Sequence, residues 1–169
     1  QIPNIKQLYF AGGEPLAIKE HRQFLEEIIR QGYAGQIGLR YNTNILLLDQ
    51  SIIDIWTQFK KVKVSISLDG IEDRVHYIRY PTDWQTVEKN LQMLENTPDN
   101  IQPSLALAVQ ILNIKHIPDF IKWKITGGFK KLNFDKNPVG QTVGGGITGV
   151  HLLWIPTWLS LRVLPKEDK

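Results

Sequence analysis

The sequence contains no cysteine, which excludes disulfide bonds and thiolate metal sites within its 169 residues. It has no apolar run near the ~18 residues that a membrane-spanning helix needs, and no signal-peptide pattern at its start. We therefore expect no membrane partner and a cytoplasmic location. Its four histidines are dispersed without metal-ligand spacing, so we predict no metal site formed by these residues.

A strong charge of one sign is also missing. The net charge is +3, and the basic residues occur in small groups such as Lys60-Lys61 and Lys130-Lys131. This pattern favours a solvated surface over a nucleic-acid patch, so no nucleic-acid partner is expected. With 42% hydrophobic and 22% charged residues, the chain has the composition of a globular domain.

Apolar runs alternate with segments of helical period along the chain. Strands are predicted at residues 5–10, 37–41, 62–68 and 105–112, with a fifth at 131–134. Helices are predicted at residues 18–31, after a cap at Asp49 or Ser51, after a Thr82–Gln85 capping box, and at 118–124. This β-α-β-α order predicts an α/β fold with a parallel sheet, in the form of an open or partial barrel.

The last part of the chain has a different pattern. Residues 140–149 include five glycines and lack the Lys-Ser/Thr ending of a phosphate loop, so we predict a flexible loop there. Residues 158–164 alternate apolar and polar side chains, which predicts a half-exposed strand.

The segment Gly12-Gly13-Glu14-Pro15 directly follows the first predicted strand. Two glycines allow a sharp turn that approaches a ligand, and Pro15 suits the first position of a helix. Glu14 and nearby backbone carbonyls would supply the several acceptors that an ammonium group needs. The alternative is an ordinary strand-turn-helix corner with a surface glutamate.

Polar residues also follow the other predicted strands. These sets are Asn42-Thr43-Asn44, Ser67-Leu68-Asp69-Gly70, and Gln110 with Asn113. Each alone could be a turn, but the carboxyl ends of parallel strands share one edge, where ligands bind. Together with Gly12-Gly13-Glu14, these three sets predict a shared ligand pocket without a nucleophile–base pair.

These residues resemble the motifs of radical S-adenosylmethionine (SAM) enzymes. Gly12–Pro15 is similar to the family's GGEP motif, and Thr43-Asn44 to its Thr-Asn-Gly, with Ile45 in place of the glycine. Ser67–Gly70 resembles Ser-Ile-Asp-Gly. Tyr77-Ile78-Arg79 resembles the Tyr-x-Arg of the SPASM/twitch branch, whose C-terminal extension carries auxiliary iron–sulfur clusters.

The resemblance implies a partial (β/α)₆ TIM-like barrel, incomplete at its N-terminus, that holds SAM and a [4Fe–4S] cluster. Residues 1–126 would form the core of the barrel, and 127–169 its end and a glycine-rich connection. The implied SAM-binding residues are Gly12, Gly13, Glu14, Pro15, Asn44, Ser67, Asp69 and Arg79. Gly13 and Glu14 would receive the SAM amino group. Arg79 would bind the carboxylate, unless it is a surface residue.

One departure concerns the cluster. The family's Cys-x₃-Cys-x₂-Cys loop is absent, and the chain starts at Gln1 with a single methionine, Met93. We therefore expect the cluster ligands upstream of Gln1. In this interpretation the complete protein cleaves SAM reductively to a 5′-deoxyadenosyl radical that abstracts hydrogen from a substrate, with a peptide as the candidate, and needs an electron donor. The chain as given would be inactive.

Two other functions stay open from the sequence. One is a non-catalytic ligand-binding barrel module that lost its iron–sulfur loop. The other is an unrelated α/β barrel enzyme acting on a phosphorylated metabolite, although no phosphate-binding loop supports it.

Overall fold

The computed structural model of the protein describes residues 2–132 and 147–165. Its strands are β1 (Gln7–Phe10), β2 (Gly38–Thr43), β3 (Lys61–Ser67), β4 (Ile101–Val109) and β5 (Ile147–Leu152). Its helices are α1 (Lys19–Arg30), α2 (Gln50–Thr57), α3 (Glu72–Ile78), α4 (Trp84–Glu95) and α5 (Ile117–Thr126).

The five strands form one parallel sheet in the order β1-β2-β3-β4-β5, curled into a half-barrel. Neighbouring strands follow each other in the chain, and each of the four connections contains at least one helix. All carboxyl ends therefore lie at one edge of the sheet, as the β-α-β-α order predicted.

The sheet has one apolar and one polar face. In β4, buried residues alternate with half-buried ones, so Leu105 and Leu107 enter the core while Ser104 and Ala106 face the other way. Although β4 is nearly all apolar, only one of its faces is fully buried. The helices pack on the apolar face, where Leu25, Ile28 and Trp56 are fully buried.

Side-chain caps fix where two helices begin. The carboxylate of Asp49 accepts a hydrogen bond from the Ile52 amide at 2.9 Å, so Asp49, not Ser51, caps α2. The predicted Thr82–Gln85 capping box is wrong. Asp83 caps α4 by accepting from the Thr86 amide at 2.8 Å, while the Thr82 hydroxyl donates to the Arg79 carbonyl.

The structure corrects the predictions for the last part of the chain. Residues 131 and 132 form a turn rather than a strand, and 133–134 lie outside the described residues. The fifth strand is β5, which includes residues 147–149 of the predicted glycine-rich loop; 140–146 lie outside the described ranges. Residues 158–164 form two short 3₁₀ turns instead of a strand, Thr157–Leu159 and Leu161–Val163.

Candidate functional site

The turn after β1 has a backbone shape that calls for glycine. Gly12 and Gly13 adopt φ angles of +85° and +55°, in the left-handed region. A Cβ at either residue would meet no atom within 4 Å. Glycine is therefore favoured here by the backbone conformation and not by a lack of space for a side chain. Pro15 then opens a short 3₁₀ turn, Pro15–Ala17, rather than α1 itself.

Glu14 connects this turn to the end of β2. Its Oε1 accepts from the Thr43 hydroxyl at 2.6 Å and from the Leu16 amide at 3.1 Å. Its Oε2 accepts from the Asn44 amide at 2.8 Å. The first two predicted sets of polar residues therefore meet in space, and Glu14 is not the free surface residue of an ordinary corner.

An ammonium group would still find acceptors here. A carboxylate offers about four lone-pair positions, and three donors leave one on Oε2 of Glu14. Within the described part of the chain, no hydrogen bond reaches the carbonyl oxygens of Gly12 and Gly13. The segment thus retains three acceptors, as many as the N–H groups of an ammonium. These residues fit the amino group of SAM.

The residues after Thr43 form a strained turn. Asn44 Oδ1 accepts from the Leu46 amide at 3.0 Å, and Ile45 has a φ of +56°. A β-branched residue is costly in this region. Ile45 stands where the resembling motif has glycine, which adopts such angles freely. The side chain of Ile45 is fully buried, so packing compensates for the strained backbone.

Asp69 and Arg79 form a second cluster at the same edge. Asp69 is 4% exposed; its Oδ2 accepts from Arg79 Nε at 2.6 Å and its Oδ1 from the Ala108 amide at 2.7 Å. Its carboxylate thus ties the end of β3 to β4. The two terminal amino groups of Arg79 make no hydrogen bond to any of the described residues.

The residues that follow β4 support this cluster rather than extend it. Asn113 donates to the carbonyls of Asp69 and Ala108 at 2.9 and 2.7 Å and accepts from the Gln110 amide. Gln110 is 4% exposed, and its side-chain oxygen has no hydrogen bond within the described ranges. Asn113 is therefore a structural residue of the turn.

The polar face of the sheet lines an open cavity of about 520 Å³ that the sequence interpretation missed. Ser67, one of the candidate site residues of the sequence analysis, lines it. Its other lining residues include Tyr9, Arg40, Asn42, Lys63, Ser65 and His151. The alternation of polar and apolar residues could have revealed this cavity. Arg40 and Asn42 on β2 are two positions apart, as are Lys63 and Ser65 on β3, so each pair shares one face of its strand.

His21 lies close to this site but within the core. It is 7% exposed and belongs to the core, and its Nε2 is 2.8 Å from the Tyr41 hydroxyl. Burial, helped by Arg22 and opposed by Glu14, lowers the pKa of His21 below its ordinary 6.5.

The lowered pKa of His21 predicts a loss of stability in acid. The unfolded chain takes up the proton near pH 6.5, while the folded protein takes it up only at lower pH. The contribution of His21 to the free energy of unfolding should be constant above about pH 7.5 and fall as pH drops below 6.5. In urea unfolding from pH 5 to 8, the free energy of unfolding of the parent should show this fall below pH 6.5, and that of His21→Phe should not.

His76→Gln, which replaces an exposed histidine, is the control. Equal pH profiles for the parent and His21→Phe would contradict the prediction.

In the described ranges, no three His, Asp or Glu side chains are grouped as metal ligands, and no helix is long and apolar enough to cross a membrane. A [4Fe–4S] cluster takes thiolate ligands, and the chain has no cysteine, so its residues do not fit that cofactor.

Comparison with known proteins supports the fold. No family model matches the sequence. The uncharacterized protein MJ0907 of Methanocaldococcus jannaschii is 26% identical over 139 residues, which are 79% of this chain and 47% of that protein. Native anSMEcpe with bound AdoMet superposes with a TM-score of 0.58 at 20% identity, covering 84% of this chain and 43% of anSMEcpe.

A second structure, native anSMEcpe with bound AdoMet and Kp18Cys peptide, has a TM-score of 0.57 at 23% identity, covering 73% of this chain and 35% of the other. The chain thus spans less than half the length of these proteins. At such identities the similarity concerns the fold, and it confirms the predicted α/β architecture: the chain is a partial TIM-like barrel of five parallel strands.

Proposed function

We propose that this chain is the SAM-binding portion of a radical SAM enzyme, with residues 1–126 as its core. The observation that carries the proposal is the joining of Gly12-Gly13-Glu14 to Thr43-Asn44 at the carboxyl edge of the half-barrel. The fold similarity to AdoMet-bound anSMEcpe supports it, because the same kind of barrel holds SAM there.

In this proposal each cluster at the edge binds one part of SAM. Glu14 and the carbonyls of Gly12 and Gly13 accept hydrogen bonds from the ammonium group. The terminal amino groups of Arg79, oriented by Asp69, donate to the SAM carboxylate, a pairing that suits the planar guanidinium. Pro15 shapes the turn, while Asn44 and Ser67 lie towards the ribose.

The reaction belongs to the complete protein in this proposal. An iron–sulfur cluster, held by ligands outside these residues, would supply one electron to SAM. The C5′–S bond would then break to give methionine and a 5′-deoxyadenosyl radical, which would abstract a hydrogen atom from the substrate. A peptide is our candidate substrate, supported by the peptide bound in anSMEcpe. The protein also needs an electron donor, and we expect it to work in the cytoplasm.

Mapping the binding of SAM tests the site. In NMR titrations of the isotope-labelled protein, SAM should shift the backbone amide signals of Gly12, Gly13, Asn44 and Asp69 more than those of α5. Shifts confined to other parts of the chain, or no shifts at saturating SAM, would contradict the proposed site.

Arg79→Lys should weaken SAM binding although the charge is kept. Lysine cannot make the paired hydrogen bonds of a guanidinium to a carboxylate and also hold Asp69. We expect a loss of about tenfold in affinity, equivalent to about one charge-assisted hydrogen bond. Calorimetric titration measures the affinity, and Arg30→Lys, at an exposed arginine of α1, is the control. Equal affinities for Arg79→Lys and the parent would leave Arg79 as a structural partner of Asp69 that does not contact SAM.

A further inference from the structure

Two cations stand side by side on the polar face of the half-barrel. Arg40 on β2 and Lys63 on β3 are register partners, each exposed at the third position of its strand. No carboxylate of the described residues forms an ion pair with either side chain. Like charges on directly paired residues repel each other, and an anion bound between them would relieve this repulsion.

Neighbouring side chains hold Arg40 in place. Its guanidinium carbon lies 5.4 Å from the centre of the Tyr9 ring, within the range of a cation–π contact. The Asn42 amide in turn donates to the Tyr9 hydroxyl at 2.8 Å. Because the guanidinium is already oriented, it would lose less conformational entropy when it binds a ligand.

The two cations line an open cavity of suitable size. The cavity of about 520 Å³ is within the range of small-molecule sites, and Ser65 and Ser67 add hydroxyl groups to its wall. Arg40 lies four residues before Asn44, which corresponds to about 13 Å along an extended strand. The cations therefore lie away from the Asn44 end of β2, while the cavity reaches the edge that we assign to SAM at Ser67.

We propose that Arg40 and Lys63 form an oxyanion site that binds a carboxylate or phosphate of the substrate. Arg40 would bind two oxygens through its planar guanidinium, and Lys63 would add a point charge. The identification of this ligand as the substrate rests on the proposed function; the binding of an anion at Arg40 does not.

Titration with two small anions tests the site. Inorganic phosphate and glutarate are added at constant ionic strength, and dissociation constants are read from the amide NMR shifts of β2 and β3. We expect saturable binding of at least one anion. Arg40→Gln should weaken it about tenfold, and Lys63→Gln about three- to tenfold, as loss of a charge-assisted hydrogen bond implies.

Lys61→Gln is the matched control, since Lys61 is an exposed lysine on β3 that does not line the cavity. Tighter binding of phosphate indicates a phosphorylated substrate, and tighter binding of glutarate indicates a carboxylate. No saturable binding of either anion, or equal binding by the parent and Arg40→Gln, overturns the oxyanion site.

A SAM titration of the same samples separates the two proposals. Anion binding without SAM binding leaves the oxyanion site standing and contradicts the proposed function. SAM binding without anion binding overturns the oxyanion site alone. Circular dichroism spectra of the variants should match that of the parent, because all three substituted side chains are exposed.

Discussion

The 169-residue chain, supplied anaerobically with iron, sulfide, dithionite and SAM, should produce no 5′-deoxyadenosine and show no iron–sulfur absorbance. Such a cluster is held by thiolates, and the chain has none. Its four histidines are dispersed and cannot replace three converging thiolates. Placement of Glu14 and Asn44 beside SAM would not change this result, because binding alone supplies no electron.

The matching measurement uses a longer version of the protein that extends upstream through three cysteines. It should give both the absorbance and 5′-deoxyadenosine, quantified by liquid chromatography. Product from the 169-residue chain alone would contradict the assignment of the cluster ligands to another segment. An upstream region without cysteines would contradict the proposal that the complete protein is a radical SAM enzyme, and it would favour a non-catalytic SAM-binding module.

Glu14→Ala should lower the affinity for SAM by about ten- to a hundredfold. The change removes one charge-assisted hydrogen bond to the ammonium, about 1.5–3 kcal/mol. It also leaves the Thr43 hydroxyl and the Leu16 and Asn44 amides without their acceptor, so the turn should loosen against β2. Calorimetric titration measures the affinity, and thermal unfolding measures the loosening.

Two further variants separate these effects of Glu14. Glu14→Gln keeps the size and one acceptor oxygen, so it should retain more stability than Glu14→Ala while still losing affinity for SAM. Glu26→Ala removes an exposed glutamate of α1 and should change neither property. If Glu14→Ala unfolds at a lower temperature but binds SAM as the parent does, Glu14 is a structural residue only.

The periodicity of the sequence determined most of the fold. Four strands and four helices lie where apolar alternation and helical spacing placed them, because burying one face of each element imposes these periods. The short helix α3 was missed, since Glu72, Asp73, His76 and Tyr77 are exposed and leave little apolar pattern. Strand β5 was missed because the glycines in and before it indicated a loop. The two 3₁₀ turns that follow have alternating apolar and polar residues, a pattern that is typical of a strand.

The sequence by itself determined that a glycine turn, a carboxylate and polar strand ends occur along the chain, and the parallel order brought them to one edge. Only the tertiary structure decided which of them touch: Glu14 binds the end of β2, and Asp69 binds Arg79 and β4. It also placed Arg40 beside Lys63. Strand register and side-chain rotamers set these contacts, and both depend on how residues distant in sequence pack, which local pattern does not encode.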